Sequence, residues 1–244
     1  MRFELMLPHQ IRDAIADLLP VVLPLGVLEY HGEHLGVGMD TLAVVRVLEL
    51  LEREMPLVLL PPFYYGAASY AVAPPGGTGS LQVDATRLQP FAEAIFEGLL
   101  RIGFRNVHAI IHHQTENFVQ GMPTDLAFRL GARQAIFRLL ERERGEGWWG
   151  RAEMAGYYAE RAAGADPFNW IRLHPLMPAG IDYPFDHAGV GETSLMLALA
   201  PEAVDMGRLG HNEGWYTVTA ADATRELGER GRDAILAHLR SVLG

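Results

Sequence analysis

A chain of 244 residues, 49% hydrophobic and 20% charged, has enough apolar sequence to bury a core and too little charge to stay disordered. Its formal net charge of -10 argues against a general nucleic-acid partner, and the lack of cysteine excludes disulfides, thiolate metal sites and a cysteine nucleophile. Met1-Arg-Phe-Glu-Leu-Met6 lacks the make-up of a signal peptide, and no apolar run nears the roughly 18 residues that span a membrane, so a cytoplasmic protein is expected.

The chain opens with a short predicted helix over 9–19, where Ile11, Ile15 and Leu18 share a face. Val21-Val-Leu-Pro-Leu25 reads as a buried strand ending at Gly26. A helix beginning at Asp40 or Thr41 carries Leu42, Val45, Leu48 and Leu51, and ends before Pro56. Leu57-Val-Leu-Leu60 is a second buried strand, closed by Pro61-Pro62. Residues 64–87 hold too many turn residues for a routine connection and read as a binding loop or lid. Phe91, Ile95, Leu99 and Ile102 mark a helix ending at Gly103, and Val107-His-Ala-Ile-Ile111 is a third strand. A further helix covers 123–144, with a charged, solvated end. The segment 166–184 reads as irregular, Thr193–Leu199 as a buried helix stopped by Pro201, and the last helix is capped at Asp222. Strands alternating with helices imply an α/β fold with a mainly parallel sheet covered on both faces. No repeat or linker divides residues 1–244, which therefore read as one domain.

The chemistry concentrates where strands end. Glu29, His31 and Asp40 offer an imidazole and two carboxylates behind the first strand, with glycines 32, 36 and 38 letting the backbone fold back. In an extended Glu29-x-His31 both side chains point the same way. Imidazole with carboxylate is the ligand mix for Zn²⁺, Mn²⁺ or Fe²⁺, and Asp40 is the candidate to bridge two such ions. Taken alone, Asp40 could equally cap the helix that follows. His112-His-Gln-Thr-Glu-Asn117 leaves the third strand, and Asp186-His-Ala-Gly-Val-Gly-Glu-Thr-Ser194 opens the buried helix. Ligands of parallel sheets bind at the carboxyl ends of the strands, so these loops can converge. Together they supply what metal-assisted hydrolysis needs: cation ligands and a base that takes and returns a proton. His34 is read as hydrogen-bonding support behind the ligands, and His108 and His174 as ordinary.

Three motifs, Pro24-x-Gly26-x-x-Glu29-x-His31-Gly32-x-His34-Leu35-x(4)-Asp40, the loop ending Glu116-Asn117, and His187-x-Gly189-x-x-Glu192-Thr193-Ser194, give the chain its resemblance to the creatininase (creatinine amidohydrolase) family over nearly its whole length. The resemblance implies a three-layer α/β/α sandwich, one or two divalent metals (Zn or Mn, or else Fe), and a homo-oligomer, commonly a hexamer. By position it implies Glu29, His31 and Asp40 as metal ligands with Asp40 shared, and Glu116 as a further ligand carboxylate. His187 is implied in proton transfer on the substrate, and Glu192, a motif glutamate near the metals, is grouped with it as catalytic.

The chain also departs from that pattern. The family has Asn-Gly-His in the middle motif, and an ungapped alignment puts Gln114 on the ligand histidine. Either the loop has gained a residue and His113 binds metal, or Gln114 sits near the ion; the better ligation by imidazole favours His113. Tyr183-Pro184 stands where creatinine-hydrolysing members carry Trp-Asp, which removes a substrate-binding carboxylate. Pro75-Gly-Gly-Thr-Gly-Ser80 resembles a Pro-Gly-Thr segment of the family and is expected to line the pocket. The expected function is thus metal-dependent hydrolysis of a C–N bond, a cyclic amide or related, in a small polar substrate. The alternatives are ring opening of a cyclic sugar-like ketone at the same site, and a non-catalytic metal-binding scaffold.

Overall fold

A computed structural model describes every residue except 116 and 165, so the expectation for Glu116 lies outside the described residues. Four strands, β1 (Val21–Leu25), β2 (Val58–Leu59), β3 (Val107–Ile111) and β4 (Ile171–Pro175), form one sheet in the order β2-β1-β3-β4, all parallel. Every residue of β1 and β3 is buried, which is why β1 reads as an uninterrupted apolar run and β3 as one broken only by His108. Side chains still alternate between two cores: Val21, Leu23, Leu25, Val107, Ala109 and Ile111 face one, Val22 and Ile110 the other. Pro24 is tolerated in an inner strand because its backbone faces the β2 side, where β2 has already stopped at Pro61-Pro62. There its carbonyl accepts the Phe63 N–H at 2.9 Å.

Helices cover both faces. On one side lie α1 (Pro8–Ala16), α3 (Ala85–Ile102) and α4 (Pro123–Arg144); on the other α2 (Met39–Leu51), α6 (Val190–Leu199) and α7 (Arg225–Leu243). The short α5 (Tyr157–Ala162) belongs to the segment between α4 and β4. This is a three-layer α/β/α sandwich. Among the described residues no helix is long and apolar enough to cross a membrane.

The sequence pattern misplaces three features. β4 lies inside the stretch expected to be irregular. It is an edge strand, and only Ile171 of its five residues is buried, so it shows neither the apolar run of β1 and β3 nor a clean alternation. The buried stripe of α3 is Leu88, Ala92, Phe96, Leu99 and Leu100, leaving Phe91 51% and Ile102 45% exposed. The last helix is capped by Thr224, whose hydroxyl accepts the Leu227 N–H, because Ala223 is extended and cuts Asp222 off from the helix.

Candidate metal centre

β1 and β3 are adjacent and parallel, so the loops that leave their carboxyl ends emerge side by side. The first carries Glu29 and His31 and turns into α2, whose second residue is Asp40. A Cβ on Gly26 would lie 2.6 Å from the Thr41 backbone nitrogen, so only glycine lets α2 start so close to the strand end. The second loop begins at His112. His113 and Gln114 take φ values of 147° and 49°, conformations that cost energy for residues with a side chain. This bend directs both His112 and His113 into the site, where an extended chain would point successive side chains apart. From the far layer, the start of α6 brings Glu192. Its first turn is held by Asp186, whose carboxylate accepts the N–H groups of Gly189, Gly191 and Glu192 at 3.2, 2.6 and 3.1 Å.

These loops make two donor sets that share Asp40, and Glu29, His31 and His187 form a third group close enough to share an ion. In the first, Nδ1 of His113 is 3.3 Å from both Glu29 Oε2 and Asp40 Oδ2. In the second, Nε2 of His31 is 3.5 Å from Asp40 Oδ1 and 3.6 Å from Glu192 Oε2. Asp40 therefore turns one oxygen to each set. His112 donates from Nε2 to Glu192 Oε1 at 3.1 Å and backs the second set.

The donor chemistry fits divalent cations. Separations of 3.3–3.6 Å match the edge of a tetrahedron of ligands at about 2.1 Å from a central ion, roughly 3.4 Å. Both Glu29 oxygens, Asp40 Oδ2 and His31 Nε2 are buried with no hydrogen-bond partner among the described residues, a costly arrangement that a cation relieves. His31 donates from Nδ1 to the Glu29 carbonyl at 3.0 Å, which orients the ring so that Nε2 faces Asp40 and Glu192.

Electrostatics agree. Burial pushes the His31 imidazole down, but Asp40 and Glu192 outweigh it and lift it to about 10. His113 is opposed by burial in the same way, and Asp40 and Glu29 raise it to about 10. Burial alone would raise the Asp40 carboxyl; the two imidazoles hold it well below the usual carboxylate range. The protein without metal thus balances its buried carboxylates with protons on histidine, and loading with metal would release those protons.

His187 stands beside the donors. Its Nε2 donates to the Tyr30 carbonyl at 2.9 Å, so Nδ1 carries the lone pair and lies 4.0 Å from Glu29 Oε2. With Asp40, His112, His113 and Glu192 it lines a cavity of about 890 Å³, walled further out by Phe185, Glu213, Trp215 and Tyr216. Ala71 and Val72 reach this cavity, and Ser80 accepts the Tyr30 N–H, but the glycine-rich turn expected to line it does not.

The family model described as creatinine amidohydrolase matches residues 4–234. The chain belongs to the creatininase family. It is 25% identical over 208 residues to the creatinine amidohydrolase of Pseudomonas putida, covering 82% of this chain and 72% of that protein. It is 24% identical over 200 residues to the 3-dehydro-scyllo-inosose hydrolase of Thermotoga maritima, covering 82% of this chain and 56% of that one. Among solved structures it is similar to a creatinine amidohydrolase, with a TM-score of 0.73 at 20% identity over 100% of this chain and 96% of that one. A manganese form of creatininase and a zinc–zinc form of a mutant creatininase each give a TM-score of 0.71 at 20% identity, covering 98% of this chain and 95% of theirs. At such identity these structures speak for the fold.

In this creatininase-family chain Glu29, His31, Asp40 and His113 lie together around Asp40, and Gln114 reaches the cavity wall. Glu192, grouped in the sequence reading with His187, stands among the cation donors. His34 lies behind them, 2.9 Å from the Thr193 hydroxyl and 3.0 Å from Asn212. The wall formed by Glu213, Trp215 and Tyr216 was missed; its one signal was an aromatic pair directly after Gly214, in a segment of 3-10 turns without periodicity.

Proposed function

We propose that this metal-dependent hydrolase of the creatininase family opens a C–N bond, a cyclic amide or a close relative, in a small substrate that is neutral or cationic. The observation that carries the reading is Asp40, whose Oδ1 and Oδ2 each face a separate donor set. In this reading Glu29, Asp40 and His113 hold one cation and His31, Asp40 and Glu192 the other, with Glu116 as a further ligand carboxylate. Zinc or manganese in these sets, with iron a third option for the same donors, would lower the pKa of a bound water and polarise the carbonyl under attack.

The protein's own groups do the rest. His187 accepts the proton of the attacking water at Nδ1 and returns it to the leaving nitrogen, its tautomer set by the Tyr30 carbonyl. His112 orients Glu192, and Asp186 fixes the turn on which Glu192 stands. The outer wall carries the carboxylate of Glu213 beside Trp215 and Tyr216, which favours a substrate without negative charge. The similarity to creatinine amidohydrolase supports the amide reading.

A second reading, ring opening of a cyclic sugar-like ketone, is favoured by the similarity to 3-dehydro-scyllo-inosose hydrolase and by Tyr183-Pro184. We also read the chain as a homo-oligomer, as its resemblance to the family implies.

Metal content per chain, with turnover on a panel of lactams, formamides and cyclic polyol ketones, tests this. About two ions per chain with lactam or formamide hydrolysis is the expected result. Turnover of the polyol ketones alone would select the second reading, and tightly held metal with no turnover would leave the scaffold.

A further inference from the structure

The outer wall of the metal-site cavity, Glu213 to Tyr216, is held in place by little apolar burial. It leads into a 3-10 run, Trp215–Asp222, and of residues 213–218 only Thr217 is buried. Polar side chains pin the two ends of this strap. At one end Asn212 Oδ1 accepts the Glu33 N–H at 2.7 Å, and Asn212 Nδ2 donates to His34 Nδ1 at 3.0 Å. At the other, Thr219 Oγ1 accepts the Val190 N–H at 3.1 Å.

Both pins end on elements that carry cation donors. Glu33 and His34 follow Glu29 and His31 on one loop, and Val190 opens α6, which carries Glu192. The backbone makes room for each pin. A Cβ on Gly32, whose φ is 75°, would lie 2.6 Å from Asn212 Oδ1, and one on Gly189 would lie 2.7 Å from Thr219 Oγ1. Without those side chains the anchors come down directly on the main chain.

The donor loop has other supports. The Glu33 N–H can only donate, so it turns the Asn212 oxygen to itself and the amide N–H to His34. His34 Nδ1 then accepts, and Nε2 donates to the Thr193 hydroxyl at 2.9 Å. The His34 carbonyl also accepts the Asp205 N–H at 2.9 Å, and the Gly36 N–H reaches the Ala203 carbonyl at 2.8 Å. Loss of Asn212 therefore frees the strap more than it frees the loop.

We propose that Asn212 and Thr219 are positioning residues for the hydrolysis, holding Glu213, Trp215 and Tyr216 at a set distance from the cation centre so that the wall meets a substrate whose scissile bond lies at the metals. This rests on the reading of the cavity as the substrate site. A loosened wall costs binding of the substrate's remote part, while the donors and His187 keep their places.

The test compares metal-loaded, full-length Asn212→Ala and Thr219→Val with the unsubstituted protein. Thr219 is exposed, and valine keeps its branched shape while removing the acceptor oxygen. Amide exchange followed by mass spectrometry should quicken about five-fold in peptides covering 213–218, the worth of one hydrogen bond, and stay unchanged in the strands and α7. On whichever compound the protein hydrolyses, KM should rise about five-fold with kcat and metal content nearly constant. Thr219→Ser, which restores the oxygen, should behave as the unsubstituted protein. Unchanged exchange at 213–218 in both variants would overturn the proposal, as would loss of metal or of kcat at constant KM, since the pins would then support the donors. A Thr219→Ser protein indistinguishable from Thr219→Val would also overturn it, because shape and not the bond would be at work. If the unsubstituted protein turned over nothing, the hydrolytic reading would fail by itself, and the exchange rates would still decide whether the pins hold the wall.

Discussion

The imidazole of His187 stacks on that of His31, ring centroids 4.2 Å apart and planes inclined by 29°. Their nitrogens serve different partners: His31 Nε2 aims at Asp40 and Glu192, whereas His187 Nδ1 lies no nearer than 4.0 Å to Glu29. Substitution should separate the two roles. His31→Ala should remove one cation per chain, read by elemental analysis after gel filtration. His187→Ala should keep the metal and lower kcat by about a hundred- to ten-thousand-fold, the usual worth of a general acid–base. Full activity in His187→Ala would remove it from proton transfer.

Asp40→Asn should cost more metal than any other single substitution. An amide oxygen can still meet one cation, but it carries no charge and cannot hold two. Of the two sets that meet at Asp40, loss of His31 or His113 affects one each, while Asp40 serves both. Metal content is expected to fall well below one ion per chain in Asp40→Asn and to stay near one in His113→Ala. Equal losses in the two variants would mean that Asp40 does not bridge.

Much of this site was legible because its residues follow strands that bury every side chain. Val21–Leu25 and Val107–Ile111 announce themselves as apolar runs, and the polar residues directly after them must then lie at the carboxyl end of a parallel sheet. What spacing could not decide was whether His113 or Gln114 faces the donors. That depends on the positive φ of both residues, a tertiary constraint with no glycine to signal it. The strand β4 and the wall at Glu213–Tyr216 were hidden for a related reason. Each is half-exposed and irregular in pattern, so burial left little periodicity in the residues.

Glycine substitutions should change stability with opposite signs in two helices. A Cβ on Gly228 in α7 would meet the Ser194 carbonyl oxygen at 1.8 Å, and that oxygen belongs to the backbone of α6 and cannot swing aside. Alanine gains about 1 kcal/mol in helix propensity there, but forcing two helices apart costs typically 1–3 kcal/mol and at such overlap more. Gly228→Ala should therefore destabilise by about 2 kcal/mol. Gly98 in α3 has nothing within 4 Å of the added atom, so Gly98→Ala should stabilise by about 0.5–1 kcal/mol. Urea denaturation of both variants measures the signs.

Stability should fall in acid partly through a histidine pair away from the metals. His108 and His174 lie 3.0 Å apart beside Arg172. Burial first, and the arginine second, depress them to about 3 and about 4. Unfolded, both titrate near 6.5 and so take up protons that the folded state refuses. The unfolded chain thus gains protons as pH drops below about 6.5, and the folded state loses stability until the pH passes about 3–4. Above pH 7 the pair contributes no pH dependence. His174→Gln, which keeps a hydrogen-bonding side chain without a titrating ring, should flatten the decline in urea midpoint between pH 7 and pH 5. An unchanged slope would place the acid sensitivity elsewhere.

The cavity wall makes a claim about substrate charge that can be tested without knowing the substrate. Glu213 lies on the wall with Trp215, which is 86% exposed, and with Tyr216, whose ring meets His187 edge-on at 5.2 Å. A carboxylate beside aromatic faces suits a cation with a flat body. The attraction of a cation for an aromatic face is worth about 0.5–2 kcal/mol, and an exposed charge pair adds up to about 1 kcal/mol. Removing the charge alone should therefore weaken a cationic ligand by about five-fold, since 1.4 kcal/mol is tenfold. Benzamidinium and its neutral counterpart benzamide have nearly the same shape. Binding of each to the metal-loaded protein can be followed by quenching of Trp215, with Trp215→Phe defining its share of the signal. Benzamidinium should bind more tightly than benzamide, and Glu213→Gln should weaken benzamidinium by about five-fold while leaving benzamide unaffected. If both ligands lost affinity equally, the residue would be shaping the wall through packing, because only a charge interaction tells two molecules of the same shape apart.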